Sequence, residues 1–327
     1  MHLDPFELHE PRSLPEAMAL AQELEGSFDY LAGGTDLLPN YKMHLNNRPH
    51  LISLGRIPEL SRYDSARGWF GALTPLRRLE GDARLAREFP GIAEGVRQIA
   101  TPLVRSSATV GGNLLVETRC FFFNQSRPWR EGLGYCLKAE GDRCHVVPQK
   151  ERCYATFSGD LAPNLMVLGA EAELTGPTGT RRVPVRELYD RKGDGIHRTL
   201  LAPGEVVVGV QVPPEMRGVP ATYRKLRVRP AFDFPELGVA AALRMDGGRV
   251  RLLRLATGGL ETAPREFSEL TDPLVGEELT AERIDALAQQ VRSRVRPVHN
   301  TALAPDYRKR MAGVYVHRAL TALQGAG

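Results

Sequence analysis

The sequence lacks any run of about 18 apolar residues, the length at which a segment becomes a candidate for crossing a membrane. Its first residues, Met1-His2-Leu3-Asp4-Pro5, also lack the basic and apolar regions of a secretory signal peptide. From these two absences we expect a cytoplasmic protein that has no membrane partner.

A large excess of either charge is missing as well. Lys and Arg number 43 against 39 Asp and Glu, so the formal net charge is only +4 at pH 7. Domains that bind nucleic acid usually carry a strong basic patch, and we therefore expect no nucleic-acid partner. The small excess is local, because residues 118–156 hold seven Lys or Arg and four Asp or Glu.

Cysteine is absent from most of the chain and concentrated in one segment. The four cysteines are separated by 15, 7 and 8 residues: Cys120, Cys136, Cys144 and Cys153. Because disulfides rarely persist in the cytoplasm, this clustering predicts a metal site rather than cross-links. Four thiolates are a complete ligand set for zinc or for an iron–sulfur cluster. The absence of a close Cys-x2-4-Cys pair favours the larger cluster.

The segment that carries the cysteines is too long for an ordinary loop. It contains six of the 22 aromatic residues of the chain, a composition that disordered segments do not have. We therefore expect it to be ordered around its metal, with His145 outside the ligand set. Four basic residues are expected to offset the charge of a cluster: Arg119, Arg143, Lys150 and Arg152.

Two glycine turns are candidate phosphate sites. A predicted strand at 28–32 runs into Gly33-Gly34-Thr35-Asp36, and a short helix is expected at 37–42. Glycine allows the backbone to approach an anion closely, and N–H groups at a helix start favour negative charge. The second turn is Val110-Gly111-Gly112-Asn113. Neither turn is a G-x-G-x-x-G fingerprint or a P-loop, so the nucleotide would lie in another fold. For Asp36 an ordinary helix N-cap is the competing role.

The remaining pattern predicts alternating strands and helices, followed by an antiparallel hairpin and helices. Ser13-Leu14-Pro15-Glu16 reads as a capping box at a helix start. Further elements are expected at 50–54 (strand), 69–73 (strand), 75–88 (helix), 90–100 (helix), 165–174, 182–185 and 205–212 (strands), 237–244 with 249–256 (hairpin), 280–295 and 307–323 (helices).

Several segments resemble the FAD subunits of the xanthine dehydrogenase and aldehyde oxidase family. Leu31-Ala32-Gly33-Gly34-Thr35-Asp36-Leu37-Leu38 is similar to the family's first flavin-binding segment, and Ala108-Thr109-Val110-Gly111-Gly112-Asn113-Leu114 is similar to the second. Further similar segments extend over nearly the whole chain: Gly159-Asp160-Leu161-Ala162-Pro163, Tyr223-Arg224-Lys225-Leu226, Thr257-Gly258-Gly259 and Tyr307-Arg308-Lys309-Arg310.

This resemblance implies an α+β fold with two domains. A two-part FAD-binding domain of the PCMH type would occupy residues 1–216, with the cysteine segment inserted at about 118–156. A smaller domain with an antiparallel sheet and helices would occupy residues 217–327.

The resemblance also implies which residues hold the FAD. The two turns would enclose its diphosphate through Ala32, Gly33, Gly34, Thr35, Asp36, Thr109, Gly111, Gly112 and Asn113. Asp160 would accept a hydrogen bond from a cofactor hydroxyl. Lys225 would approach the flavin, and a solvated strand position is its alternative role.

The insertion itself is similar to the four-cysteine loop of the flavoprotein subunits of 4-hydroxybenzoyl-CoA reductases. That resemblance implies a 4Fe-4S cluster on Cys120, Cys136, Cys144 and Cys153. It also implies a molybdopterin-binding large subunit, a 2Fe-2S small subunit and a ferredoxin-like electron donor as partners. Since the substrate would react on the large subunit, no catalytic residue is expected in this chain.

Two other functions remain open at this point. One is the FAD subunit of an oxidative molybdenum hydroxylase, in which a cluster would be an additional electron exit. The other is a flavin-free scaffold whose four cysteines bind structural zinc.

Overall fold

The computed structural model describes residues 3–45, 48–190 and 193–325. Met1 and His2, which belong to the segment expected to lack a signal peptide, lie outside the described residues. Up to residue 216 its elements are β1 (Glu7–His9), α1 (Leu14–Glu23), β2 (Phe28–Leu31), α2 (Leu37–Lys42), β3 (His50–Ser53), β4 (Tyr63–Asp64), β5 (Trp69–Gly71), α3 (Leu76–Glu80), α4 (Ala83–Glu88), α5 (Pro90–Arg97), α6 (Pro102–Ser107), α7 (Val110–Leu114), α8 (Arg127–Gly132), α9 (Leu161–Val167), β6 (Glu171–Gly176), β7 (Gly179–Pro184) and β8 (Val206–Gln211). Beyond residue 216 they are β9 (Ala221–Leu226), β10 (Leu237–Asp246), β11 (Arg249–Gly258), β12 (Arg265–Glu266), α10 (Ser268–Thr271), α11 (Ala281–Arg294) and α12 (Pro305–Gln324).

The first part of the chain forms a small parallel sheet in the order β1-β3-β2. Helix α1 covers it, and Ser13 caps this helix by accepting a hydrogen bond from the N–H of Glu16 at 3.3 Å. Buried Ala17 and Ile52 lie in the core between helix and sheet. The sheet presents the carboxyl end of β2, from which the first glycine turn emerges.

A second sheet follows, with the strand order β4-β5-β8-β6-β7 and antiparallel pairing throughout. Helices α5 and α9 share the largest core of the described residues with this sheet, and they pack directly against the strands that follow residue 216.

The third sheet has the order β12-β11-β10-β9 and supports the long helix α12, on which α11 packs. The turn between β10 and β11 places Gly247 and Gly248 at φ values of 54° and 80°. Positive φ at both central positions is the arrangement of a tight hairpin turn, for which glycine is the favoured residue. The expected hairpin is confirmed.

The C-terminal part shares its core with the preceding part. Strand β9 packs on α5, where a Cβ added to Gly91 would lie 2.9 Å from the Cβ of Ala221. Buried Tyr223 and Ala256 belong to the same core as Leu161 of α9. The expected α+β fold is confirmed, and the two parts are held together by direct packing.

Two sequence-based expectations were wrong. The helix expected at 75–88 is divided into α3 and α4, because Asp82 accepts hydrogen bonds from the N–H groups of Arg84 and Leu85 and so starts a new helix. The strand expected at 165–174 begins only at Glu171, since the apolar residues before it form the buried helix α9. A short apolar run does not distinguish these two structures.

In the described residues, none of the helices combines the length and the apolar character that crossing a membrane would require.

Candidate functional site

The first glycine turn lies directly against the chain that leads into the second. A Cβ added to Gly33 would overlap the carbonyl oxygen of Ser107, the last residue of α6. Gly34 has a φ of 70°, in the left-handed region that glycine adopts without strain. Gly34 and Val110 are 76 positions apart in the sequence. The fold therefore brings the two turns together, as expected.

The first turn also offers unpaired hydrogen-bond donors. Within the described residues, the backbone N–H groups of Gly33, Gly34 and Thr35 donate to no protein acceptor. Thr35 is exposed and the two glycines are half-buried. Adjacent N–H groups without an internal partner suit an anionic group such as a diphosphate. The residues at this turn therefore fit the phosphates of a dinucleotide.

The second turn is built differently, as the start of the short helix α7. Thr109 accepts a hydrogen bond from the N–H of Gly112 at 3.1 Å, and Gly111 donates to the carbonyl of Ala72 at 2.8 Å. A Cβ on Gly111 would lie 2.9 Å from that of Ala72, whereas one on Gly112 would meet only the hydroxyl of Thr109. Gly111 is thus required for packing, and Gly112 leaves open space on the exposed side.

Asn113 connects the second predicted flavin segment to the third. Its side-chain oxygen accepts a hydrogen bond from the N–H of Leu161 at 2.9 Å. Leu161 is the first residue of α9 and follows Asp160 directly. The second predicted flavin segment therefore contacts the third directly, and the chain that leads into it contacts the first.

Asp160 and Lys225 form a buried ion pair where the two parts of the chain meet. The Lys225 ammonium lies 3.0 Å from one carboxylate oxygen of Asp160, and Tyr223 donates its hydroxyl to the other at 2.7 Å. Burial raises the pKa of Asp160 and lowers the pKa of Lys225, while their mutual attraction opposes both shifts. Lys225 is therefore not a solvated strand residue, and the direct contacts of both groups with FAD remain a prediction.

Asp36 does not cap α2, although the sequence allowed that role. Its side chain makes no cap hydrogen bond. One carboxylate oxygen pairs with Arg119, and the other accepts from the N–H of Glu117 at 3.1 Å. Because Arg119 precedes Cys120, the first glycine turn is tied to the start of the cysteine segment.

The cysteine segment is closed by a pair of backbone hydrogen bonds. Arg119 and Thr156 exchange N–H···O bonds of 2.8 and 2.7 Å. The N–H of Phe121 donates to the backbone carbonyl of Asn300, in the C-terminal part, at 2.9 Å, and this bond fixes the start of the segment. The expected insertion at about 118–156 therefore has both its ends held by the scaffold.

The four thiols converge inside this segment. All four are unbridged and buried, and they line one cavity together with apolar side chains of the segment. Burial raises the pKa of Cys120 to about 11 and that of Cys153 to about 12, with further contributions from the neighbouring thiols. A bound cation would reverse these shifts, because a coordinating thiol is deprotonated.

The spacing of the thiols is wider than a single ion requires. Zinc with bonds of about 2.3 Å to four sulfurs would hold the sulfurs about 3.8 Å apart in a tetrahedron. In the part of the chain that the structure describes, no three of the thiols have their sulfurs all within 4.8 Å of one another. The thiols therefore suit a group larger than one zinc ion.

A buried lysine that the sequence did not single out lines the same cavity. Lys138 lies 2.6 Å from Glu117, 3.0 Å from the carbonyl of Gly195 and 4.9 Å from the centre of the Phe123 ring. Burial lowers the pKa of Lys138, and the carboxylate of Glu117 opposes this shift. Lys138 thus brings a positive charge to the thiols.

The four basic residues expected in that role lie elsewhere. Arg119 pairs with Asp36, and the other three are exposed: Arg143, Lys150 and Arg152. His145 lines the cavity, but its Nε2 lies 2.7 Å from the carbonyl oxygen of Tyr135. The sequence around Lys138, which lies between two of the predicted ligand cysteines, contains no signal that distinguishes a buried lysine from a solvated one.

Comparison with known proteins places both parts of the chain. The model of the FAD binding domain in molybdopterin dehydrogenase matches residues 4–215, and that of the CO dehydrogenase flavoprotein C-terminal domain matches residues 221–323.

Individual relatives agree with these matches. The FAD-binding subunit of an aldehyde oxidoreductase from Escherichia coli K12 is 33% identical over 258 residues, which cover 76% of this chain and 79% of the relative. The carbon monoxide dehydrogenase medium chain of Afipia carboxidovorans is 29% identical over 317 residues, or 96% and 95% of the two chains. The solved structure of carbon monoxide dehydrogenase from Hydrogenophaga pseudoflava superposes with a TM-score of 0.81 at 28% identity and covers 99% of both chains. The chain therefore belongs to the FAD-binding medium subunits of the molybdenum hydroxylase family.

Proposed function

We propose that this chain is the electron-transfer flavoprotein subunit of a cytoplasmic complex related to 4-hydroxybenzoyl-CoA reductase. It would hold FAD at the glycine turns and a 4Fe-4S cluster on its four cysteines. FAD supplies a two-electron store and the cluster a one-electron carrier, so the chain itself needs no catalytic residue. The observation that carries the proposal is the set of four buried thiols around one cavity, in a segment attached to the first glycine turn.

The chain's own contribution to FAD is to position it. We propose that the free N–H groups after β2 receive the diphosphate and that the open side of Gly112 gives it room. The remaining residues of the proposed site are Ala32, Asp36, Thr109, Gly111, Asn113, Asp160 and Lys225. We also propose a domain boundary between residues 216 and 217, which the limits of the two matching family models support.

The cluster ligands are proposed to be Cys120, Cys136, Cys144 and Cys153. The wide spacing of the thiols favours an iron–sulfur cluster over zinc. Their burial and the nearby charge of Lys138 suit an anionic metal–thiolate group. The apolar lining would exclude water from it, and solvent exposure is one of the factors that set the potential of such clusters.

The partners follow from the family and from the charge of the insertion. Relatives named medium chain and FAD-binding subunit imply that a molybdopterin-binding large subunit and a 2Fe-2S small subunit complete the complex. The exposed basic residues of the insertion would attract an acidic, ferredoxin-like donor, because complementary charge accelerates encounter.

A second candidate is an oxidative hydroxylase, in which electrons leave the substrate and pass outward. The names of the relatives favour it, since they include an aldehyde oxidoreductase and carbon monoxide dehydrogenases. In that case the cysteine segment would be an exit rather than an entrance.

The test uses the complete complex, prepared without oxygen, and follows bleaching of the flavin absorption in stopped flow. A reduced ferredoxin and a small artificial dye serve as the two electron donors, at low and at high salt. The variants are Cys136→Ser and His145→Ala, of which the second changes the cavity lining without removing a thiol.

The proposal predicts that Cys136→Ser severely slows reduction by ferredoxin and affects reduction by the dye much less. In the wild type, high salt should slow flavin reduction by ferredoxin but not flavin reduction by the dye. Reduction of Cys136→Ser by ferredoxin at the wild-type rate, in protein shown to lack iron, would contradict an entrance role. Faster reduction of the flavin by an oxidisable substrate such as an aldehyde than by ferredoxin would favour the oxidative candidate.

A further inference from the structure

Glu7, His9 and His50 form a cluster of metal-ligating side chains outside the FAD and cysteine sites. Strands β1 and β3 are parallel neighbours, and their register sets Glu7 opposite His50. Glu7 and His9 are two residues apart on β1, so both point to the same face of the sheet. The pairing of these two strands therefore collects three ligand side chains from positions up to 43 residues apart.

The separations of the ligand atoms match those around one small ion. Nε2 of His9 lies 3.2 Å from Nδ1 of His50. In Glu7, Oε2 lies 3.6 Å from Nδ1 of His50 and Oε1 lies 3.9 Å from Nε2 of His9. Zinc with bonds of about 2.0–2.1 Å in a tetrahedron holds its ligand atoms about 3.3–3.4 Å apart. Among the described residues, this is the only such group with all its ligand atoms within 4.8 Å of one another.

The side chains are also held in a suitable way. Those of His9 and His50 are 18% and 24% exposed, and their rings pack with centroids 5.3 Å apart. Glu7 is 67% exposed and closes the cluster from the solvent side. An ion can therefore enter from water, while the two imidazoles lose little freedom on binding, which is how preorganised ligands improve affinity.

We propose that Glu7, His9 and His50 bind one divalent transition-metal ion of the zinc type, with water at the remaining position. Two imidazoles and a carboxylate suit zinc and its neighbours in the first row rather than magnesium or calcium. The ion would fasten the three-residue edge strand β1 to β3, the strand that also pairs with β2 before the first glycine turn. The site would be structural, and its ion distinct from the metal of the cysteine segment.

The test measures Co²⁺ binding by equilibrium dialysis on the full chain loaded with its flavin and iron. Wild type is compared with His9→Ala, His50→Ala and Glu7→Gln. The control is His317→Ala, because His317 also pairs with a carboxylate on the surface, that of Asp285 at 3.4 Å, but belongs to no three-ligand cluster. Iron content is measured in every sample, so that metal taken up by emptied cysteines is recognised.

We expect one Co²⁺ per wild-type chain and the same for His317→Ala. Loss of either imidazole should raise the Kd at least about 100-fold, since even groups that only orient a ligand change metal affinity 10–100-fold. Added Zn²⁺ should raise the Tm of the wild type and leave that of His50→Ala unchanged. Equal Co²⁺ binding by wild type and both histidine variants, with iron content constant, would overturn the proposal, as would the absence of binding in wild type.

Discussion

The ammonium group of Lys138 lies 2.6 Å from the carboxylate of Glu117, at the wall of the four-cysteine cavity. Arg198 contacts the other oxygen of the same carboxylate at 3.1 Å. The N–H of Glu117 in turn donates to Asp36, the last residue of the first glycine turn. A continuous set of polar contacts therefore joins the cysteine cavity to the predicted FAD site.

Lys138→Met should lower the reduction potential of the cluster. A positive charge beside the sulfurs favours the reduced, more negative form, and net charge is one of the factors that set such potentials. Arg198 would still neutralise Glu117, so the segment should remain folded. We expect a shift of tens of millivolts, where about 59 mV corresponds to a tenfold change for one electron.

The measurement is a redox titration of the iron–sulfur signal by electron paramagnetic resonance. Lys150→Met is the matched control, because Lys150 is an exposed lysine of the same segment and water screens its charge. Equal potentials for wild type and Lys138→Met would show that this lysine does not tune the group held by the thiols.

Gly112→Val should abolish FAD binding without unfolding the chain. Among the described residues, a Cβ at this position would meet only the hydroxyl of Thr109, and the rest of the side chain would occupy the space proposed for the cofactor. Gly132→Val is the control, because a Cβ there meets no atom within 4 Å and the position lies outside the turns. The ratio of flavin to protein after gel filtration, together with circular dichroism, distinguishes cofactor loss from misfolding.

Gly33→Ala should behave differently, since its methyl group would collide with the backbone at Ser107. This variant is expected to lose both flavin and thermal stability, because the two turns could no longer pack. If Gly112→Val retained stoichiometric flavin, the open side of the second turn would not be the cofactor site.

Lys225→Met should destabilise the chain by about 3–5 kcal/mol, the usual cost of leaving one partner of a buried ion pair uncompensated. Asp160 would then be the unpaired charge, and Tyr223 would be its one remaining side-chain donor among the described residues. The double variant Asp160→Asn/Lys225→Met should recover much of this loss. Urea denaturation of the four proteins of this double-mutant cycle measures the coupling, and strictly additive effects would contradict a stabilising pair.

The free energy of unfolding of Lys225→Met should depend more strongly on pH than that of the wild type. Burial raises the pKa of Asp160, and removing Lys225 takes away an interaction that lowers it. A carboxyl with a raised folded-state pKa favours folding below its unfolded value near 3.8 and loses this contribution as the pH rises through the folded value. The deficit of Lys225→Met relative to wild type should therefore be smaller at pH 5 than at pH 8.

Local sequence signals predicted much of the fold. The helix at Leu37–Lys42 occurs with the expected limits, and the hairpin around Gly247 and Gly248 forms where its turn residues indicated. The limits of the insertion, expected near 118 and 156, stay a prediction, and the paired backbone hydrogen bonds of Arg119 and Thr156 lie close to them. In each case the signal lies within a few residues of the element that it predicts.

The features that were missed depend on contacts between distant residues. Lys138 could be assigned to the cysteine cavity only after Glu117 and Gly195 were known to surround it. The cluster of His9 and His50 depends on the register of two parallel strands, which no local pattern encodes. Asp36 is of a residue type that often caps helices, but its carboxylate forms an ion pair with Arg119 from another segment.

The central claim is that the four cysteines hold an iron–sulfur cluster beside a separate FAD site. The most direct test is the iron, zinc and flavin content per chain, measured after purification without oxygen, for wild type, Cys136→Ser and His145→Ala. We predict about four iron atoms and one FAD in wild type and in His145→Ala. Cys136→Ser should lose iron and keep its FAD, because the glycine turns do not involve this cysteine. Zinc in place of iron in the wild type, or full iron in Cys136→Ser, would contradict the account.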